Sequence, residues 1–519
     1  MRILLVGGGT VGSVTPLLAL AESIWVVDRH AVFLFVGTPR GPERKLVESA
    51  KMRFAPISAG KLRRYASWKN VTDLGALAVG WIQSLSLLRK FRPDVIVSAG
   101  SFVAVPVVWA GKSLGIPSII HQQDIVPGLA NRLCQPAASR VTVAFESSLK
   151  HYPKRKVVWT GNPVRSQLTG HSPSAARKKF DLKDTLPTVL AFGGGTGALR
   201  LNQLIAEAGL NLVKHVQILH ITGGRENTFR IEDANYRSVE FLTENMADAY
   251  AAADIVVCRG GLSSLSELSA LGKPAIIIPI PGTHQEKNAE YFRERKAIIQ
   301  LDERRTNHAD LESAILGLLQ DVERRETLSR NIRLIGHPDA GDRLAAIVLD
   351  IARPRELTRT SQALTKVVSD IQLNEPLAKH TNFKLGGPAA IFAVCRRRQE
   401  IIGAIQVLKN ENADYVLLGG GANLVFPDAG IPGVVLQIRN EEFTVDGEYV
   451  EIGAGVNTGK AASLCLQAGL TGLEFIVGIY GTIGGAVRGN AGSFGTEMKD
   501  ITVSCDVLTE AGTVETWTH

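Results

Sequence analysis

The sequence predicts an α/β protein built from two doubly wound units in tandem, followed by a smaller α+β domain. Three observations predict it. A glycine-rich loop occurs twice, as ILLVGGGTVG at 3–12 and VLAFGGGTGA at 189–198, where a short apolar run breaks into three glycines and a threonine. Such Val/Leu-rich runs fit strands buried on both faces of a parallel sheet. Strand-like runs then alternate with helical stretches as far as residue 335, the pattern of repeated βα units. After residue 373 the texture changes to denser glycine, shorter runs and turns such as GGGAN, PDAGIPG and GTIGG.

Taken in order, the first unit has strand-like runs at 2–7, 32–37, 94–98, 117–121 and 156–160, and is assigned residues 1–160. The second, residues 161–352, has runs near 188–192, 216–221, 254–258 and 274–279 and closes with RLAAIVLDIA, read as a docking helix. Residues 353–372 are polar and read as a linker. Residues 373–519 form the third domain. Three domains also suit the length of 519 residues, because single cores stop growing near about 250–300 residues.

Hydrophobic residues make up 45% of the chain and charged residues 21%, the balance of a folded globular protein. A net charge of +8 suits nucleic acid, an anionic membrane or an acidic substrate. No stretch has the look of a nucleic-acid module, so nucleic acid is not an expected partner. Residues 71–92 place Leu74, Leu77, Trp81, Ile82, Leu85 and Leu88 at helical spacing, with Lys61, Arg63 and Arg64 before them and Arg89, Lys90 and Arg92 after. Such a helix either packs inside its α/β unit or lies in a headgroup layer. No run approaches the roughly 20 apolar residues that span a bilayer. The amino terminus runs straight into a strand, so no signal peptide is expected. Cys134, Cys258, Cys395, Cys465 and Cys505 are scattered without metal-ligand spacing and read as thiols in a reducing cytosol.

Gly7, Gly9 and Gly12 satisfy GxGxxG, which raises a dinucleotide site. The acid that should close the second strand is missing, since Asp28 precedes that strand, and a repeated loop fits a single dinucleotide poorly. Four other segments fit a different chemistry: HQQDIVPGLANR (121–132), GNPVR (161–165), CRGGLSSLSELSALGKP (258–274) and PGTHQEKNAEYF (281–292). They fall in loops after strands, where open α/β sheets bind ligands. A helix start carrying Gly260, Gly261, Ser263 and Ser264 suits a diphosphate. Glu267, one turn along, suits a ribose diol. The Arg165 guanidinium suits the charge on a departing nucleoside diphosphate.

On these motifs, residues 1 to 350 resemble the MurG family of GT-B glycosyltransferases. The resemblance implies two facing Rossmann-like domains. It also implies transfer of N-acetylglucosamine from UDP-GlcNAc to undecaprenyl-pyrophosphoryl-MurNAc-pentapeptide (lipid I), giving lipid II for peptidoglycan. It places Glu267 on the ribose hydroxyls, and the backbone around 260–264 on the diphosphate with Arg165 and Thr196 assisting. Gln285 and Asn288 would read the GlcNAc hydroxyls, while the 8–12 loop with Thr10 and Gly12, together with Asn131, would face the acceptor. The family docks on the cytoplasmic face of the bacterial membrane as a peripheral protein, which favours the anionic inner-membrane reading of residues 71–92.

Two departures from the family pattern bear on catalysis. GGTVGS puts Ser13 where GGTGGH has a histidine, and HQQD replaces HEQN. Ser13 stays among the catalytic candidates by position, but an unassisted serine is a poor base near neutral pH. Asp124 is therefore the leading candidate base for the acceptor hydroxyl, with His121 second. The expected reaction is a direct displacement with inversion at the anomeric carbon. No DxD motif occurs in the matching loops, so neither metal nor cofactor is expected for the transfer, and the helix dipole and Arg165 carry the leaving-group charge.

In the third domain, PLAKHTNFKLGGPA (376–389), LLGGGANLVFPDAGIPGVVL (417–436) and GLEFIVGIYGTIGGAVRGNAGSFGTE (472–497) are glycine-dense loops of the kind that wrap a dinucleotide with backbone N–H groups. Their order and wording resemble the FAD-binding domain of the MurB family, which reduces UDP-N-acetylenolpyruvoylglucosamine with NADPH and flavin. The resemblance implies Gly419, Gly420, Gly421 and Asn423 at the flavin pyrophosphate. It implies Gly481, Thr482, Gly484, Gly485, Asn490 and Gly492 at the rest of the cofactor. Tyr480 replaces the usual proline. The family's YRxS segment and late glutamate would lie beyond His519, so these residues are expected to be part of a longer fused protein and not a competent reductase alone. Two further readings stay open from the sequence: a flavin/NADPH reductase whose transferase half is inactive, and a non-catalytic scaffold that binds UDP-sugar and lipid.

Overall fold

The computed structural model describes the chain except for residues 10, 61–68, 194–197, 224–230, 243–244, 510–511 and 519, and of residues 11 and 69–74 it describes the backbone alone. The expectations for Thr10, Thr196, Lys61, Arg63, Arg64 and the Leu74 side chain lie outside the described residues. The chain divides into two compact units, residues 2–352 and residues 353–519, with Met1 grouped with the second.

The first unit holds two parallel sheets. One contains β1 (Arg2–Val6), β2 (Val32–Gly37), β3 (Arg53–Pro56), β4 (Val95–Ser98), β5 (Ser118–Gln122), β6 (Arg140–Val143) and β7 (Val157–Trp159), in the order β3-β2-β1-β4-β5-β6-β7. The other contains β8 (Thr188–Phe192), β9 (Gln217–Ile221), β10 (Tyr236–Val239), β11 (Ile255–Cys258), β12 (Ala275–Ile277) and β13 (Ile299–Gln300), in the order β10-β9-β8-β11-β12-β13. Strand order reverses between β1 and β4 and again between β8 and β11. Loops leaving the carboxyl ends of those pairs diverge and open a crevice, and each of the two repeated glycine loops follows one of these central strands. Apolar runs did not mark β3, β6, β10 and β13. Three of them are short sheet-edge strands, and β6 interrupts its apolar residues with Arg140 and Thr142.

Helix Thr15–Val27 follows the first glycine loop. Pro16 sits in its first turn, where the missing N–H costs nothing, and Leu17, Leu20, Ala21 and Ile24 form its buried stripe. Helix Lys69–Phe91 corrects the expectation of a single apolar face. Leu88 is buried, and Leu85, Leu87 and Phe91 pack with it beside Ile96 and Val107. One to two turns earlier, Val79 (48%), Trp81 (39%) and Ile82 (63%) are exposed. The carboxyl half is therefore core, and the turns before it present apolar side chains to solvent.

The second unit is built on β14 (Asp370–Pro376), β15 (Pro388–Cys395), β16 (Tyr415–Leu418) and β17 (Ile431–Ile438), ordered β14-β15-β17-β16 with β14 antiparallel and the other pairs parallel. The expected linker at 353–372 is corrected. A helix runs through Ala340–Leu364, and β14 begins at Asp370. Leu357 and Leu364 lie seven residues apart on one helical face, and Leu364 is fully buried among Ile391, Ala393, Ala404 and Leu408. That burial outweighs Pro354, which removes one helical hydrogen bond inside the helix.

Candidate functional site

The first glycine loop spends its early N–H groups internally. Gly7 N donates to Val36 O (3.1 Å), Gly8 N to Ser13 Oγ (3.0 Å) and Gly9 N to Glu43 Oε2 (3.1 Å). Ser13 Oγ in turn donates to Gly8 O at 3.4 Å. Its hydroxyl is folded back on its own loop, which corrects its candidacy as a base.

What the loop does present is the start of helix Thr15–Val27, and that start meets the start of helix Leu262–Leu271. Thr15 Oγ1 donates to Ser263 Oγ (3.3 Å), and Ser263 Oγ donates to Gly12 O (3.0 Å). The first helical N–H groups of Leu262, Ser263 and Ser264 have no acceptor among the described residues. Two positive helix ends converge on one crevice, an arrangement suited to a diphosphate. Gly260 is required sterically, since a Cβ there would stand 2.8 Å from Gln285 O, whereas Gly261 is open.

Glu267 projects from the same helix. Its Oε2 accepts from Tyr250 Oη at 2.8 Å. Burial raises the Glu267 pKa, opposed by the Tyr250 hydrogen bond and by the nearby positive charge of Arg165. Arg165 lies close enough to act on Glu267 electrostatically, and its buried Nε has no partner among the described residues. It lines a cavity of about 250 Å³ with Asn162, Ser266, Phe292 and His337.

Asp124 crosses the crevice. Its Oδ1 accepts from Asn288 Nδ2 (2.9 Å) and lies 3.8 Å from His284 Nε2, and the side chain is 30% exposed. Asn288 also donates to Gly260 O (3.3 Å) and accepts from Ile125 N (3.2 Å). Both the amide nitrogen and the oxygen of Asn288 are thus engaged, and two of its three bonds tie the HQQD turn to the opposite domain. In this arrangement it is a strut, which corrects its expected role as a reader of sugar hydroxyls. Gln285 accepts from Ile280 N (3.1 Å) through Oε1, leaving its Nε2 amide without a partner among the described residues.

His121 is buried. Its Nδ1 lies 2.9 Å from Thr142 Oγ1 and its Nε2 2.9 Å from Asn162 Oδ1. Burial lowers its pKa to about 4, so the ring is neutral. Asn162 Oδ1 can only accept, so Nε2 carries the proton and Nδ1 accepts from Thr142. Both nitrogens are occupied, which corrects His121 as a candidate base. Asn162 Nδ2 donates onward to Ser266 Oγ (3.0 Å), so the chain His121–Asn162–Ser266 joins β5 to the donor-side helix. Asn131 is likewise buried and not turned to an acceptor. Its Nδ2 donates to Gln122 Oε1 (2.7 Å), and its Oδ1 has no partner among the described residues.

The motifs GNPVR and PGTHQ contain Asn162 and His284 but assign neither a role, and no motif marks Tyr250, Glu43 or Thr142. The signal for Asn162 was its place in the turn between the two domains. Tyr250 and Thr142 lie in helix and strand interiors that read as ordinary core.

In the second unit the two expected cofactor loops do meet. A Cβ on Gly419 would lie 2.6 Å from Thr482 Oγ1, one on Gly420 3.0 Å from Gly481 Cα, and Gly421 (φ +68°) abuts the His380 carbonyl. The N–H groups of Gly420, Gly421, Ala422 and Asn423 have no acceptor among the described residues, and Asn423 is exposed. Gly484 and Asn490 are corrected as cofactor contacts. Gly484 N donates to Ala454 O (2.9 Å). The Asn490 side chain closes its own hairpin, donating to Glu497 Oε2 (2.9 Å) and accepting from Lys499 N (3.0 Å). Gly492 serves the same hairpin, since a Cβ there would stand 2.7 Å from Glu497 Cγ.

Comparison with known proteins follows the same division. The glycosyltransferase family 28 N-terminal domain matches residues 3–143 and its C-terminal domain residues 188–344. The UDP-N-acetylglucosamine--N-acetylmuramyl-(pentapeptide) pyrophosphoryl-undecaprenol N-acetylglucosamine transferase of Desulforamulus reducens is 34% identical over 356 residues, covering 66% of this chain and 96% of that protein. The chain belongs to this transferase family. The Lachnoclostridium phytofermentans transferase of the same name is 38% identical over 296 residues, covering 56% of this chain and 83% of that protein.

Among solved structures, MurG of Acinetobacter baumannii superposes with a TM-score of 0.52 at 23% identity, covering 67% of this chain and 99% of that one. UDP-GlcNAc 2-epimerase from Neisseria meningitidis, bound to UDP-GlcNAc, gives 0.51 at 13% identity, covering 67% of this chain and all of that one. Both show the GT-B fold. An FAD binding domain matches residues 389–518, so the transferase family's two domains are followed by a flavin-binding one.

Proposed function

We propose that this chain transfers N-acetylglucosamine from UDP-GlcNAc to lipid I with inversion and without a metal ion. The observation that carries this reading is the meeting of two helix starts through Ser263 and Gly12, with the Asp124 carboxylate on the same crevice. The free N–H groups at 262–264 hold the donor diphosphate, Glu267 takes the ribose hydroxyls and the Gln285 amide reads the sugar. Asp124 accepts the proton of the acceptor hydroxyl as that oxygen attacks the anomeric carbon. The leaving UDP is stabilised by the helix end and by Arg165. The test is the product linkage formed in excess chelator. An inverted linkage at an undiminished rate supports the proposal, and a retained linkage or a rate abolished by chelation contradicts it.

The exposed Val79, Trp81 and Ile82, with exposed Arg89 and Lys90 further along the helix, support peripheral docking on an anionic membrane, where the lipid acceptor resides. No helix among the described residues is long and apolar enough to cross a membrane. For residues 373–519 we propose FAD binding, with the pyrophosphate on the four adjacent free N–H groups at 420–423. Bound FAD would supply hydride chemistry. NADPH as reductant belongs only to a protein that also carries the substrate segment the MurB resemblance calls for.

A further inference from the structure

Glu43 has no place in the chemistry above, yet its side chain is completely buried and touches the acceptor-side glycine loop. It opens the short helix Glu43–Ser49, which follows β2. One carboxylate oxygen accepts from Thr38 N at 2.7 Å and from the Thr38 hydroxyl, and the other accepts from Gly9 N at 3.1 Å. The space it fills is defined by glycines. A Cβ at Gly8 would stand 2.5 Å from Oε1, one at Gly37 3.0 Å from Cγ, and one at Gly41 would overlap the carboxylate. Three glycines from two segments leave this room, and three donors fill its oxygens.

The position matters because of what the loop does next. Beyond Gly9 the backbone reaches Gly12, whose carbonyl receives Ser263 from the donor-side helix. Gly9 itself has φ +78°, and among the described residues nothing lies within 4 Å of where its Cβ would stand. The Glu43 carboxylate is what fixes its N–H. We infer that Glu43 is a positioning residue that sets the acceptor-side glycine loop, and so the seating of the acceptor, without touching substrate. This rests on the proposed transferase reading.

Glu43→Gln separates the acceptor role from packing, because it preserves size and removes one acceptor. An amide that satisfies Thr38 N with its oxygen turns an N–H toward the Gly9 N–H, and the flipped amide makes the same conflict at Thr38. In either orientation one backbone donor loses its carboxylate partner. The expected result is a rise of at least tenfold in KM for a lipid I analogue, with KM for UDP-GlcNAc changed less than threefold. General destabilisation would instead lower kcat through the active fraction and leave both KM values alone.

Wild-type protein is assayed in parallel. Absence of transfer by wild type defeats the transferase reading. Transfer by wild type, with an unchanged acceptor KM in Glu43→Gln, overturns the role of Glu43. Should that variant fail to fold, amide hydrogen exchange of the wild-type segment ending at Gly9 decides. Slow exchange at Gly9 supports the bond to Glu43, and exchange as fast as an open loop overturns it.

Discussion

Asp124→Asn isolates proton acceptance from the architecture of the crevice. Asp124 Oδ1 is the acceptor for Asn288 Nδ2 at 2.9 Å, and an asparagine at 124 can present its own Oδ1 to the same donor. The strut between the two domains therefore survives, and the fold should lose no more than about 1 kcal/mol, the net worth of an ordinary hydrogen bond. The carboxylate's capacity to take the acceptor proton does not survive. General-base catalysis contributes about 100-fold or more, so kcat should fall about 100-fold, roughly 2.7 kcal/mol of barrier. KM for UDP-GlcNAc should change little, because the residues assigned to donor binding keep their contacts. Initial rates at saturating donor and acceptor, beside a thermal melt of each protein, measure this directly. A variant with normal melting and a rate within threefold of wild type would refute the assignment of Asp124 as base.

Three further outcomes follow from the structure. His121 and His220 are both buried with pKa values lowered to about 4, against an ordinary value of 6.5. The unfolded chain binds their protons first, so stability is full above pH 6.5 and falls as pH drops toward 4. Each should cost about 2 kcal/mol by pH 5, seen as a lower unfolding midpoint at pH 5 than at pH 7, and an unchanged midpoint would contradict it. Trp81→Ser should weaken co-sedimentation with anionic vesicles while leaving the melting temperature within a few degrees, because Trp81 is 39% exposed and lies outside the buried core cluster of its domain. Asn423→Asp places a negative charge beside the four free N–H groups at 420–423 and should reduce FAD retained through gel filtration at least tenfold, with equal retention arguing against that cradle.

Much of the fold was legible because its central strands are nearly continuous apolar runs and its glycine loops repeat. What escaped is physically of one kind. Edge strands such as β3 and β10 are too short and too exposed to carry a period. The helix through Pro354 persists because Leu357 and Leu364 find a core that only the folded domain supplies. In the site, residue types pointed to the right segments but not to how each side chain is used. Ser13, His121, Asn131 and Asn288 sit where expected along the chain, yet the hydrogen bonds they make brace neighbouring loops and strands. Whether an asparagine reads a sugar or braces a turn depends on which neighbour arrives within 3 Å. That neighbour is usually distant in sequence, as Asp124 is from Asn288 and Glu43 is from Gly9.

The central claim is that the crevice between the two parallel sheets joins GlcNAc to a lipid-linked acceptor. The most direct measurement is transfer of radiolabel from UDP-[sugar-labelled] GlcNAc to a short-chain lipid I analogue by the purified full chain. Label appearing in the lipid, dependent on both substrates, is the predicted result. Bound UDP-GlcNAc with no label in the lipid would contradict the claim and leave a site that binds sugar nucleotide without transferring it.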